Sequence, residues 1–257
     1  MNELQKIAVV IDADNTQLSK IGAVLREIST HGRIVVKRAY GNWRKEGLKN
    51  WEPEIKRLAI KAEQQFDYVS GKNATDMALV IDTIELLYSN IYDAFVIVSS
   101  DSDYTPLAIK LHESGVYVMG VGEKKTPESF RNACDEFLFL ENISATTAEI
   151  VPVAEATKAA EPDNTNDDIT DDSTDINEIH DLLRKAFDTY QEDDGYVNVA
   201  QAGNFIKRAK PDFDCRSFGY TKLPQLLEAF PDKYEVSRYP GKGTVTIVGY
   251  KCVDKID

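Results

Sequence analysis

Cysteine, histidine and long apolar runs are scarce in this chain of 257 residues, and each scarcity removes a class of protein. The three cysteines, Cys134, Cys215 and Cys252, are odd in number and far apart. They show neither the paired spacing of a zinc site nor a disulfide framework. The three histidines, His31, His112 and His180, fall in no pattern that catalysis or metal ligation would use. No apolar stretch approaches the roughly 20 residues of a membrane-spanning helix. The first residues, Met-Asn-Glu-Leu-Gln-Lys, lack the basic and apolar regions of a signal peptide. We therefore expect a reduced, cytoplasmic protein with no membrane contact. The length suffices for one large domain or two smaller ones with real cores.

What is abundant is acid, and it is unevenly spread. The net charge is -13. Residues 147–177 hold one basic and nine acidic residues, a net of -8. Residues 1–146 carry -4 and residues 178–257 carry -1. Neither flanking part is strongly basic, so charge alone does not point to nucleic acid.

The sequence divides at that acidic stretch. Residues 1–144 read as alternating strands and helices. Strands are expected at 7–11, 34–40, 66–69, 95–100, 116–120 and 137–140. Helices are expected over about 17–30, from about Asn50, from Thr75, around Pro106 and after Thr126-Pro127. That alternation predicts an α/β fold, a parallel sheet with helices on both faces. Residues 145–174 are poor in large apolar side chains and predict a disordered acidic linker that repels RNA and keeps its neighbours apart. Residues 175–257 predict three helices and a terminal hairpin around Pro240-Gly-Lys-Gly243, which describes a small winged helix.

Four aspartates carry the chemical signal. Asp12 closes the apolar run Ile7–Ile11, Asp101 and Asp103 follow Phe95–Ser100, and Asp76 opens the helix between those strands. Asp is a poor strand former and is costly to bury unpaired. In an open parallel sheet, ligands bind beyond the carboxyl ends of strands where chain order reverses. The four carboxylates then converge on one crevice, with Asn15 and Ser99 or Ser100 as neutral oxygen auxiliaries. Oxygen-only ligands suit Mg²⁺ or Mn²⁺, which activate water and neutralise phosphodiester charge. Each aspartate also has a plain alternative. Asp103 can cap a helix, Asp76 can complement a helix dipole, and Asp14 is either a loop residue or an auxiliary ligand.

The segments Ile11-Asp-Ala-Asp-Asn15, Tyr40-Gly-Asn-Trp43, Gly71-Lys-Asn-Ala-Thr-Asp76 and Ser99-Ser-Asp-Ser-Asp-Tyr104 resemble the motifs of NYN domains. So do Gly120-Val-Gly and the Thr126-Pro127, Phe130, Cys134-Asp pattern. The resemblance covers about residues 5–143. It implies a PIN-like, metal-dependent ribonuclease with Mg²⁺ or Mn²⁺ at catalytic Asp12, Asp76, Asp101 and Asp103, cutting RNA to leave a 5′-phosphate. Lys72 is a candidate phosphate contact. Arg38, Arg44, Lys45 and Lys49 surround Trp43 and Trp51, a pattern that grips single-stranded RNA or merely anchors a loop through its tryptophans.

Residues 177–251, with Gly195-Tyr-Val-Asn-Val, Pro211-Asp-Phe-Asp and Phe218-Gly-Tyr-Thr-Lys-Leu223, are similar to the OST-HTH or LOTUS domain. That resemblance implies binding of RNA or docking of a protein partner. Arg216, Lys222, Arg238, Lys242 and Lys251 are the candidate phosphate contacts. A homodimer stays open. Two other functions compete with the nuclease. One is a non-catalytic RNA-binding adaptor. The other is a haloacid-dehalogenase-type phosphatase, with Asp12 as nucleophile and Asp14 as acid and base.

Overall fold

A computed structural model describes residues 4–69, 73–143, 176–191, 195–240 and 246–253. In the first domain the strands are β1 (Leu4–Asp12), β2 (Gly32–Gly41), β3 (Lys61–Gln64), β4 (Ala94–Val98), β5 (Tyr117–Gly122) and β6 (Glu136–Phe139). The helices between them are α1 (Ile21–Ser29), α2 (Trp51–Leu58), α3 (Ala74–Tyr88), α4 (Thr105–Glu113) and α5 (Glu128–Asn132). The strands form one sheet in the order β3-β2-β1-β4-β5-β6, with every pair parallel.

Helices on both faces explain the unbroken apolar strands. Along β1, Ile7, Val9 and Ile11 pack with Val24 and Ile28 of α1, while Ala8 and Val10 pack with Leu79 of α3 and Leu107 of α4. Successive side chains point to opposite faces, so a strand covered twice has no polar alternation. Chain order reverses between β1 and β4. From β1 the chain builds outward through β2 and β3, and α3 then carries it back to β4 on the other side. The ends of β1 and β4 therefore share one crevice.

The third strand differs from expectation. It is Lys61–Gln64, whereas Phe66 and Val69 lie beyond it, exposed. A four-residue edge strand takes its stability from backbone pairing with β2 and carries polar side chains, so apolar patterning does not mark it.

The second domain contains α6 (Ile176–Tyr190), β7 (Val197–Asn198), α7 (Val199–Ala209), α8 (Leu223–Glu228), β8 (Tyr234–Pro240) and β9 (Thr246–Cys252). Its antiparallel sheet has the order β7-β9-β8. Asn198 starts α7 by accepting the Ala200 amide on its side-chain oxygen at 2.9 Å. Ile179, Leu183, Ala202, Ile206, Leu226, Leu227 and Tyr250 fill the core. The expected linker at 145–174 lies outside the described residues, as do Lys72 and Lys242. The expectation that the two domains stand apart is corrected. Arg131 of α5 pairs with Asp212 at 2.9 Å, and the Phe137 amide of β6 donates to the Pro211 carbonyl at 2.9 Å. An edge strand and buried charges need partners, and the second domain supplies them. Among the described residues, no helix is long and apolar enough to cross a membrane.

Candidate functional site

Asp12 ends β1 fully buried. Its Oδ1 accepts the amides of Asp14 at 3.1 Å and Asn15 at 3.2 Å. Its Oδ2 accepts the Asn15 side-chain amide and the Ser99 hydroxyl, each at 2.9 Å. Burial pushes the Asp12 carboxyl up from its ordinary range. The Asn15 and Ser99 hydrogen bonds pull it down, and the negative charge of Asp76 pushes it up again.

Ser99 ties two aspartates together. While donating to Asp12, its hydroxyl accepts the Asp101 amide at 3.1 Å. Asp101 in turn accepts the Asp103 amide on Oδ1 at 2.9 Å, the Asx-type turn that starts the short 3-10 turn Ser102–Tyr104 ahead of α4. α4 itself has Tyr104 at its N-cap with no side-chain capping bond, so the alternative of Asp103 as its cap does not hold. Ser100 points elsewhere and accepts the Glu123 amide at 2.9 Å.

Asp76 lies in the first turn of α3. The buried Tyr104 hydroxyl donates to its Oδ1 at 2.8 Å. Burial raises the Tyr104 phenol well above its usual range, and the charges of Asp12, Asp76 and Asp101 raise it further. One hydroxyl thus feels three of the four aspartates. Asp103 accepts the side-chain amide of Asn73 at 3.1 Å. Asn73 stands at the N-cap of α3 yet makes no side-chain capping bond there. Tyr104 and Asn73 were missed as site residues, although both sit inside quoted motifs next to aspartates.

A cleft of about 530 Å³ opens at these strand ends, lined among others by Asp14, Asn15, Ser100, Asp101, Glu123 and Lys125. Asp12 is not part of its lining. Lys125, paired with Glu123 at 2.7 Å, is a cation that motif reading passed over. Asp14 meets Lys45 at 3.3 Å, and Lys45 also reaches Asp67 at 3.7 Å. Burial opposes the charged form of Lys45, but the two aspartates outweigh it and raise its pKa.

The remaining candidate cations are placed as follows. Arg44 lies over the Phe66 ring at 5.0 Å. Arg38 is paired with Asp82 at 2.5 Å, and Asp82 also accepts the Tyr40 hydroxyl. Arg216 meets Asp214 at 2.8 Å and Glu27 at 3.2 Å, which puts it between the domains. Arg238 pairs with Glu228 at 2.5 Å, and Lys222 is exposed ahead of α8. The tryptophans anchor the loop. Trp51 is buried in the core, and Trp43 packs 6.0 Å from it and donates its indole N–H to the Glu63 carbonyl.

The donor chemistry fits a hard divalent cation. Every donor is oxygen, and buried Asp12 sits within reach of the Asp76 charge. Among the described residues, no three histidine, cysteine, aspartate or glutamate side chains are drawn into a cage that could hold a metal ion. Mg²⁺ does not need such a cage, because it keeps several waters and uses one or two carboxylates.

A parallel sheet with carboxylates at its switch point defines the class, and comparison with known proteins defines the family. The NYN domain pattern matches residues 6–141, and the chain belongs to the NYN domain family. NYN domains are part of the PIN-like nuclease superfamily. An OST-HTH/LOTUS domain matches residues 173–246. No curated protein matches the sequence. A protein of unknown function from Vibrio parahaemolyticus is similar in structure, with 15% identity and a TM-score of 0.45, over 54% of this chain and 94% of that one. An uncharacterized protein of Nitrosomonas europaea is similar at 20% identity and a TM-score of 0.30, over 42% of this chain and 96% of that one.

Proposed function

We propose that the chain is a metal-dependent endoribonuclease whose C-terminal domain binds RNA. The observation that carries this reading is the buried Asp12 carboxylate, held by Ser99 beside Asp101 and within the electrostatic reach of Asp76. Asp12, Asp76, Asp101 and Asp103 are the residues that would hold a Mg²⁺ or Mn²⁺ ion, which would supply charge neutralisation and water activation there. The chain's own residues prepare that site. Ser99 and Asn15 fix the Asp12 oxygens, Tyr104 orients Asp76, and Asn73 orients Asp103. Lys125 in the cleft lining and Lys45 beside the lining residue Asp14 are the candidate contacts for the phosphate backbone, each exchanging a carboxylate partner for a phosphate. Single-stranded RNA is the substrate we favour. Next to Asn73 lies an apolar groove of about 510 Å³, formed by Tyr68, Val69, Met77 and Ile81, that suits unpaired bases.

A second reading is an RNA-binding adaptor without turnover, supported by the OST-HTH/LOTUS match at residues 173–246. The phosphatase reading has less support, because the chain belongs to the NYN family, part of the PIN-like nuclease superfamily. One experiment separates them. Labelled single-stranded RNA is incubated with Mn²⁺, Mg²⁺ or EDTA and either wild type or Asp101→Asn. Metal-dependent cleavage by wild type alone supports the nuclease. RNA binding without cleavage by either protein supports the adaptor, and equal cleavage by both removes the nuclease site.

A further inference from the structure

β6 is one of the two edges of the first sheet, opposite β3, and residues of the second domain cover it. The Phe137 amide, which faces away from β5, donates to the Pro211 carbonyl at 2.9 Å. Beside it, Arg131 and Asp212 pair at 2.9 Å with each side chain only 4% exposed. Glu136, equally buried, receives Lys207 of α7 from one side and His31 of the α1–β2 turn, at 3.3 Å, from the other. The Tyr117 hydroxyl also donates to Glu136 at 2.9 Å. At the far end Asn142 donates to Asp214 at 3.2 Å and to Ser217 at 2.9 Å, and Arg216 reaches Glu27 at 3.2 Å.

These contacts differ in kind from a casual touch of two surfaces. A buried charge separated from its partner is strongly unfavourable, so Arg131 and Asp212 accept one arrangement and reject others. An unpaired strand edge invites aggregation, and proteins cover it. Both liabilities are met by one short stretch, residues 207–217, of the same chain.

We propose that β6, α5 and the α1–β2 turn form a docking face dedicated to the chain's own OST-HTH domain, so that the two domains act as one body. The acidic segment then serves as a tether for a docked module, not as a spacer. Lys207 and Arg216 are spent on docking, and of the candidate phosphate contacts among the described residues, Lys222, Arg238 and Lys251 lie outside the interface. The β1–β4 crevice lies two to three strands from β6, roughly 10–15 Å at ordinary strand spacing. RNA held by the docked domain therefore meets the cleft at a fixed offset. That consequence rests on the ribonuclease reading, whereas the docking itself does not.

The test is amide hydrogen exchange on the full chain, with small-angle scattering on the same samples. Wild type is compared with Lys207→Glu, which faces Glu136 with like charge, and with Asp212→Asn. Docking predicts a protected Phe137 amide in wild type. Each variant exchanges there at least 10-fold faster and has a larger radius of gyration, while β1, β4 and β9 stay protected. Lys207 is about one-third exposed, so its variant keeps both domains folded even where Asp212→Asn disturbs its own. A wild-type Phe137 amide that exchanges as fast as in Lys207→Glu, with unchanged dimensions, overturns the proposal. RNA is absent from this experiment, so its failure is separate from failure of the nuclease reading.

Discussion

Tyr104 donates its hydroxyl to Asp76 at 2.8 Å from a fully buried position. This bond joins the start of α4 to the start of α3 and sets the angle of a carboxylate that neither helix alone would hold. Tyr104→Phe keeps the ring in the core and removes only the donor. A partner of this kind is typically worth 10–100-fold in metal affinity. We expect the Mn²⁺ concentration for half-maximal RNA cleavage to rise by about that factor, with the melting temperature little changed. A metal titration of cleavage rate checks this.

Ser99 has two jobs, donor to Asp12 and acceptor for the Asp101 amide. Ser99→Ala leaves the part-buried Asp101 amide without its acceptor, which costs about 1–3 kcal/mol for an unsatisfied polar group, and removes one donor from Asp12, whose Oδ2 keeps the Asn15 amide. The urea midpoint should fall accordingly, and cleavage should fall more than stability because both aspartates lose their registration. Loss of stability with unimpaired cleavage would mean that Ser99 serves the fold alone.

The docking face carries a pH signature. Hydrogen bonding and charge from Glu136 raise the His31 pKa above 6.5, against the opposing effect of burial. Burial opposes the charged form of Glu136, yet His31 and Lys207 bring its carboxyl down to about 2. A raised histidine contributes fully below about pH 6.5 and loses its contribution as pH rises through its folded value. A lowered glutamate contributes fully above about pH 4.5 and loses it as pH falls toward 2. Urea unfolding across pH 3–9 should show a stability loss on the alkaline side that His31→Gln lacks. The acid-side loss should persist in that variant.

Lys222 and Arg238 lie outside the domain interface. If they meet phosphates, the double variant Lys222→Ala/Arg238→Ala weakens RNA binding uniformly across sequences. It also flattens the dependence of log affinity on log salt by about 1.4, since each single-strand phosphate contact contributes roughly 0.7. Fluorescence anisotropy at several salt concentrations measures the slope. An unchanged slope would assign this face to a protein partner.

Some of this architecture was legible in the residues and some was not. Asp12 and Asp101 stand out because aspartate is a poor strand former and costly to bury unpaired, and the structure places both at the β1–β4 switch, where Asp101 also caps a helical turn. Helices do start close to Asp76 and just after Thr126-Pro127, yet neither start carries a side-chain capping bond, so the residues located these helices without revealing how they begin. β3 escaped notice because edge pairing asks nothing of its side chains. The docking face was invisible for another reason. Arg131 and Asp212 lie 81 residues apart and each reads as an ordinary surface charge until the fold buries them together. Tyr104 stood only as the last residue of a motif, and its role appears only once its hydroxyl is seen to donate to Asp76.

The central claim is that the aspartate cluster cuts RNA with a divalent metal. Its most direct measurement is the single-turnover cleavage rate of labelled single-stranded RNA by the full chain in Mn²⁺, beside Asp101→Asn and an EDTA control. We expect cleavage by wild type, none in EDTA, and a rate at least about 100-fold lower for Asp101→Asn, in keeping with the several kcal/mol that metal-ion charge stabilisation contributes. Equal rates for the two proteins, or wild-type cleavage that persists in EDTA, would contradict it.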